Sequence, residues 1–111
     1  MATGTGTLDF GAFPGASDAS LAITGQAGIV AGSLAEAWLR PIATTDHSAD
    51  EHMIETLAIF ASNIVAGTGF TIYGFNTSQT NEPTAGPGAQ NWTGGKGTRI
   101  YGKWTIAWTW A

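Results

Sequence analysis

The stretch Lys103-Trp104-Thr105-Ile106-Ala107-Trp108-Thr109-Trp110, KWTIAWTW, decides the fold class. Trp104, Ile106, Trp108 and Trp110 fall at every second position, with Lys103, Thr105, Ala107 and Thr109 between them. Side chains alternate across a strand and recur every 3.6 residues on a helix, so this pattern predicts a half-buried β-strand. Its tryptophans need a facing layer, and the rest of the chain must provide it.

Working outward, GTGFTIYGF (67–75) sets Phe70, Ile72 and Gly74 against Thr71, Tyr73 and Phe75 after the turn signal AGTG. Both of its faces carry bulky groups, which predicts a strand buried on both sides. GTLDFGAF, SLAITG and SLAEAWLRP read as further short strands, the last ended by Pro41, which has no N–H for a ladder. Within that last strand Trp38 shares a face with Glu36 and Arg40, as expected of an interface or an amphipathic edge. Sixteen glycines set the short-strand, short-turn rhythm.

MIETLAIFASNIV (53–65) fits two templates. Met53, Leu57, Phe60 and Ile64 follow helical spacing, and Ser48 with Glu51 matches a capping box. Glu55, Leu57 and Ile59 also alternate with Ile54, Thr56, Ala58 and Phe60, and the strand reading is preferred because the surroundings are β. These elements predict an all-β chain, a single-domain antiparallel β-sandwich of jelly-roll or H-type-lectin-like form. A long glycine-rich loop or arm at 76–97 interrupts it, and a tryptophan there, Trp92, calls for a partner to cover it.

Composition narrows the function classes. Charged residues are 11% of the 111, against about 25% in ordinary soluble domains, as suits a chain that buries surface in an assembly. A net charge of −4 gives no basic footprint for nucleic acid. The chain contains no cysteine, so disulfides and thiolate metal sites are excluded. No apolar run reaches the roughly 18 residues of a bilayer span, and the first residues do not form a secretory signal, so no membrane insertion and synthesis in the cytoplasm are expected.

TDHSADEH (45–52) is the one concentration of titratable groups: Asp46, Asp50 and Glu51 with His47 and His52. Histidines five apart diverge by about 140 degrees on a helix and point to opposite faces of a strand. They therefore lack the i, i+4 spacing of a zinc helix, and His47, Asp50 and His52 are only weak metal candidates. A solvated loop, with Ser48 or Asp46 capping a turn, is the simpler reading. Neither a nucleophile elbow nor a phosphate loop is present, so no catalytic residue and no cofactor are assigned. Seven of the eight acids lie at or before Glu55, whereas Lys96, Arg99 and Lys103 lie late, a split that favours complementary contacts. Interface or ligand candidates are Trp38, Asp50, Glu51, Trp92, Lys96, Arg99 and Trp110.

The ordered series GTGTLDFGAFPG, ITGQAGIV, EAWLRPIATTDHSADEH, NIVAGTGFTIYG and GKWTIAWTW resembles small virion-associated structural proteins of tailed bacteriophages. The arm at 76–97 departs from that pattern. The resemblance implies a non-enzymatic virion protein, made in the host bacterial cytoplasm, that oligomerises on the capsid as a decoration or on the tail or fibre. Its partners would be itself and other virion proteins, with the acidic loop meeting the Lys96–Lys103 region across a subunit boundary. ASNIVAGTGFTIY is similar to the central strands of H-type lectin sandwiches, a likeness that carries no sugar-binding residue onto this chain. The alternative function is a lectin-like host-glycan-binding module, for which Trp92, Trp38 or the arm are the candidates because aromatic side chains at a surface can serve as binding platforms. A third alternative, a metal-dependent enzyme, would centre on His47 and His52.

Overall fold

The computed structural model describes residues 2–77 and 99–111. Six strands and one short helix occur among them: β1 (Ala2–Asp9), β2 (Asp18–Ile23), β3 (Ala35–Leu39), α1 (Ala49–Ile54), β4 (Leu57–Val65), β5 (Gly69–Asn76) and β6 (Lys103–Trp110). They form two three-stranded antiparallel sheets, β1-β6-β3 and β2-β5-β4, packed as a β-sandwich. A jelly roll has eight strands, two more than these. Trp92 and Lys96 lie outside the described residues, as does nearly all of the expected arm; Asn76 ends β5, and the Thr77 N–H donates to the Thr56 carbonyl.

The alternation in β6 is realised as read. Trp104, Ile106 and Trp108 are buried with Leu8, Phe10, Ile29, Phe70, Ile72 and Ile100, and Trp110 packs at the margin of the same core. Strand β6 is central in its sheet because both of its edges are paired, with Gly4 opposite Trp108 on one side and Ala37 opposite it on the other. The β1 glycine is required there, since a Cβ at Gly4 would meet the Trp108 ring. Strand β5 takes the same central place in the second sheet, between β2 and β4.

The structure corrects three sequence readings. Residues 53–65 are not one element: Met53 and Ile54 belong to α1, whose capping box Ser48–Glu51 is formed on both sides, and the strand begins at Leu57. Strand β1 lies earlier than GTLDFGAF, starting at Ala2 and ending at Asp9, because all eight of its residues pair with β6. Strand β5 is buried on one face only. Its Thr71, Tyr73 and Phe75 side is half-open, with Phe75 42% exposed.

A one-residue bulge in β4 also alters face assignment. Ser62 pairs with Thr71 and Val65 with Gly69, so three steps on β4 match two on β5. Asn63 accommodates the extra residue at φ 57, a region that asparagine tolerates better than most side chains. The parity change turns Ile64 toward the core, where unbroken alternation would send it outward.

Candidate functional site

Residues 44–52 are built against the end of β6, and the reason lies in the short length of β3. In a central antiparallel strand every second residue directs its N–H and C=O to the same neighbour. Odd-numbered β6 residues face β3, as the Arg40 N–H donating to the Thr105 carbonyl at 2.9 Å shows. Pro41 then turns the chain away, and the Arg40 carbonyl is taken by the Ile42 N–H at 2.7 Å. From the Thr105 N–H back to the Tyr101 carbonyl, just before β6, the edge on that side is left without a backbone partner.

Side chains replace the missing strand. The Thr105 N–H donates to His52 Nε2 at 2.9 Å. At Lys103 the N–H donates to Asp46 Oδ2 at 2.8 Å, and the carbonyl accepts from Thr44 Oγ1 at 2.7 Å. The Tyr101 carbonyl accepts from His47 Nε2 at 2.6 Å. TDHSADEH and the threonine before it thus continue the ladder with functional groups, and an exposed polar edge is closed.

The expectation of a solvated loop is therefore corrected at its two histidines. His47 is 5% exposed and His52 4%. Both pack on Trp104, the first stacked at a centroid distance of 3.8 Å and 19° between planes, the second tilted at 4.9 Å. The turn of α1 that carries His52 is held by Ser48, whose hydroxyl accepts from the Glu51 N–H at 3.2 Å while Glu51 Oε1 accepts from the Ser48 N–H at 3.1 Å.

The hydrogen bonds assign ring protons. His52 Nδ1 donates to the Ser48 carbonyl at 2.7 Å, so its Nε2 is the acceptor for Thr105, which is the neutral Nδ1–H tautomer. His47 differs, because Nδ1 meets Glu51 Oε2 at 2.7 Å and Nε2 meets a carbonyl. Both ring nitrogens of His47 are thus engaged, one by a side chain and one by the backbone, while the ring stacks on the Trp104 indole.

Glu51 is a titratable group that the fold perturbs. The His47 hydrogen bond, then the bond from the Ser48 backbone, hold its carboxyl below the ordinary value of 4.5. A carboxylate with a depressed folded-state pKa contributes stability above its unfolded pKa, and loses it as pH falls through the folded value. Urea unfolding followed as a function of pH is expected to show stability declining below about 4.5, with a shallower decline in Glu51→Gln. Identical slopes in the two proteins would remove Glu51 from the acid response.

All four imidazole nitrogens are engaged in these contacts, so metal coordination would first have to break the β6 edge. Asp50 lies exposed in the first turn of α1, where its charge complements the helix dipole. Among the described residues no group of three or more His, Asp or Glu side chains is placed to hold a metal ion.

The remaining candidates separate. Trp110 donates from Nε1 to Gln26 Oε1 at 2.8 Å and lies beside Gly28, so its indole is held within the chain. Arg99 donates from Nη1 to the Gly15 carbonyl at 3.3 Å. The acidic loop meets the Tyr101–Thr105 segment inside one chain, through Asp46 and Thr44 on the backbone of Lys103. Trp38 stands 46% exposed on the outer face of β1-β6-β3, as its position between Glu36 and Arg40 predicts.

One surface escaped sequence reasoning. The outer face of β2-β5-β4 carries Asp18, Ser20 and Ala22 on β2, Thr71, Tyr73 and Phe75 on β5, and Ala58, Phe60 and Ser62 on β4. Phe60 is 56% exposed and its ring centroid is 6.3 Å from that of Phe75. Its signal was present in the double-faced aromatic content of GTGFTIYGF, which also fits a strand covered by a second protein chain. No family model, no curated protein and no solved structure matches the chain.

Proposed function

We propose that this protein is a non-enzymatic structural subunit of a tailed-phage particle, and that it assembles with copies of itself through the outer face of β2-β5-β4. The observation that carries the self-assembly is the Phe60, Tyr73 and Phe75 cluster, on a face whose nine residues include one charged side chain, Asp18. Interface centres are rich in aromatics and poor in charge, as this face is. A second copy suits it because stacking sheet on sheet is the packing that already builds the core of each subunit. The phage setting is supported by the resemblance of the sequence series, and by a charge content low enough to favour surface burial between subunits.

Light scattering and native mass spectrometry test the assembly. Wild-type protein is expected to be oligomeric, and Phe60→Asp with Phe75→Asp to be monomeric yet folded, since both side chains are largely open within one subunit. Burying each phenylalanine contributes about 1.5–3 kcal/mol, so association should weaken at least roughly a hundredfold. A wild type that is monomeric at every concentration would overturn the self-assembly. The particle role fails separately if mass spectrometry of purified virions from a phage encoding this chain does not find it.

A further inference from the structure

The opposite side of the sandwich has different chemistry. Across the outer face of β1-β6-β3 the paired rows are Thr5, Ala107 and Trp38, flanked on one side by Thr3, Thr109 and Glu36. On the other side Thr7 pairs with Thr105, whose carbonyl accepts from the Arg40 N–H. This sheet face is polar, with one indole rising from it.

Beside that indole lies a depression of about 260 Å³, lined by Thr3, Gly4, Thr5, Trp38, Arg40, Ala107 and the core residue Trp108 beneath Gly4. Ala107 is 6% exposed and forms a small apolar floor next to the ring. Two threonine hydroxyls nearby are already committed, Thr105 to the Ile42 carbonyl and Thr109 to the Ala2 carbonyl. Those of Thr3 and Thr5, the Trp38 indole N–H and the Arg40 guanidinium have no hydrogen-bond partner among the described residues. An aromatic wall, a small floor and unpaired donors and acceptors on the rim therefore converge on one shallow space.

We infer that this depression is a saccharide site, in which a pyranose packs its C–H face on Trp38 and its ring hydroxyls bond to Thr3, Thr5 and Arg40. A pyranose has an apolar face and a polar circumference, which is the division the site presents. A protein partner would fit less well, because a single aromatic in a field of threonines gives little apolar area to bury. The inference does not rest on the self-assembly surface, which is on the other sheet.

Saturation-transfer NMR with N-acetylglucosamine, methyl β-glucoside, methyl β-galactoside and glucuronate, followed by a glycan array on the full chain, tests it. Wild-type protein is expected to transfer magnetisation to the ring C–H protons of at least one sugar. Trp38→Ala should weaken that sugar by at least roughly tenfold, the loss of an aromatic contact and its buried area. Trp38→Tyr should retain part of the binding, and Arg40→Ala should weaken it without changing the melting temperature. No binding of any sugar by the wild type, or equal binding by wild type and Trp38→Ala, would overturn the site. A Trp38→Ala protein that changes oligomer size while no sugar binds the wild type would overturn it as well, and would make this face a second protein contact. The Phe60 and Phe75 variants report on the other sheet, so either reading can fail alone.

Discussion

Replacing Trp104 with alanine is expected to destabilise the fold by about 3–5 kcal/mol, a large share of the stability of a domain this size. The indole is 1% exposed and is the largest fully buried side chain among the described residues. It contributes a core wall on β6, an Nε1 donor to the Tyr101 carbonyl at 3.2 Å, and the surface on which His47 and His52 pack. Truncation would open a cavity and release both imidazoles from their shared support. Urea denaturation checks the magnitude, with Trp38→Ala as the comparison. A half-exposed tryptophan on the outer face should cost far less, and equal losses would show that Trp104 is not the keystone of the ladder closure.

His52→Leu is the second large effect, expected at about 2–3 kcal/mol. Leucine keeps much of the bulk but offers no acceptor to the Thr105 N–H, and a buried donor left unmatched costs about 1–3 kcal/mol. The helix backbone loses less, because the His52 N–H still reaches the Ser48 carbonyl at 3.4 Å. His52→Gln, which can present a carbonyl oxygen, should recover part of the loss. Hydrogen exchange gives the local readout: protection of the Thr105 amide should fall further than that of Ile106, which faces Gly6 on β1. A neutral His52→Leu with unchanged Thr105 protection would refute side-chain completion of the ladder.

Edge closure explains why both histidines of a stretch with the composition of an active site are engaged in structure. Thr44, Asp46 and His52 each satisfy a backbone group of β6, and His47 that of Tyr101 just before it, which β3 is too short to reach. Histidine suits the task because one ring nitrogen can accept while the other donates, and because its plane can lie on the Trp104 ring. Asp46 is equally local in effect: a Cβ at Gly102 would meet its side chain, so the glycine at φ 81 keeps the loop close to β6.

Local pattern determined several features of this protein unaided. The period-2 placement of Trp104, Ile106, Trp108 and Trp110 dictated both the strand and its buried face, because alternation is a property of consecutive residues. The same holds for Phe70 and Ile72 on β5, for the strand that stops before Pro41, and for the Ser48–Glu51 box, each of which depends on neighbours within a few positions. The tertiary structure alone decided what TDHSADEH does. Its partners on β6 and at Tyr101 just before it lie 53 to 57 positions away, and no periodicity reports a contact across that separation. Tertiary pairing also decided which side of β5 is covered. Alternation divides Thr71, Tyr73 and Phe75 from Phe70, Ile72 and Gly74, but only the packing of β1-β6-β3 against the second set leaves the first open. Burial depends on which surfaces meet, and a single strand carries the apolar groups for both of its faces without specifying which one its own chain will cover.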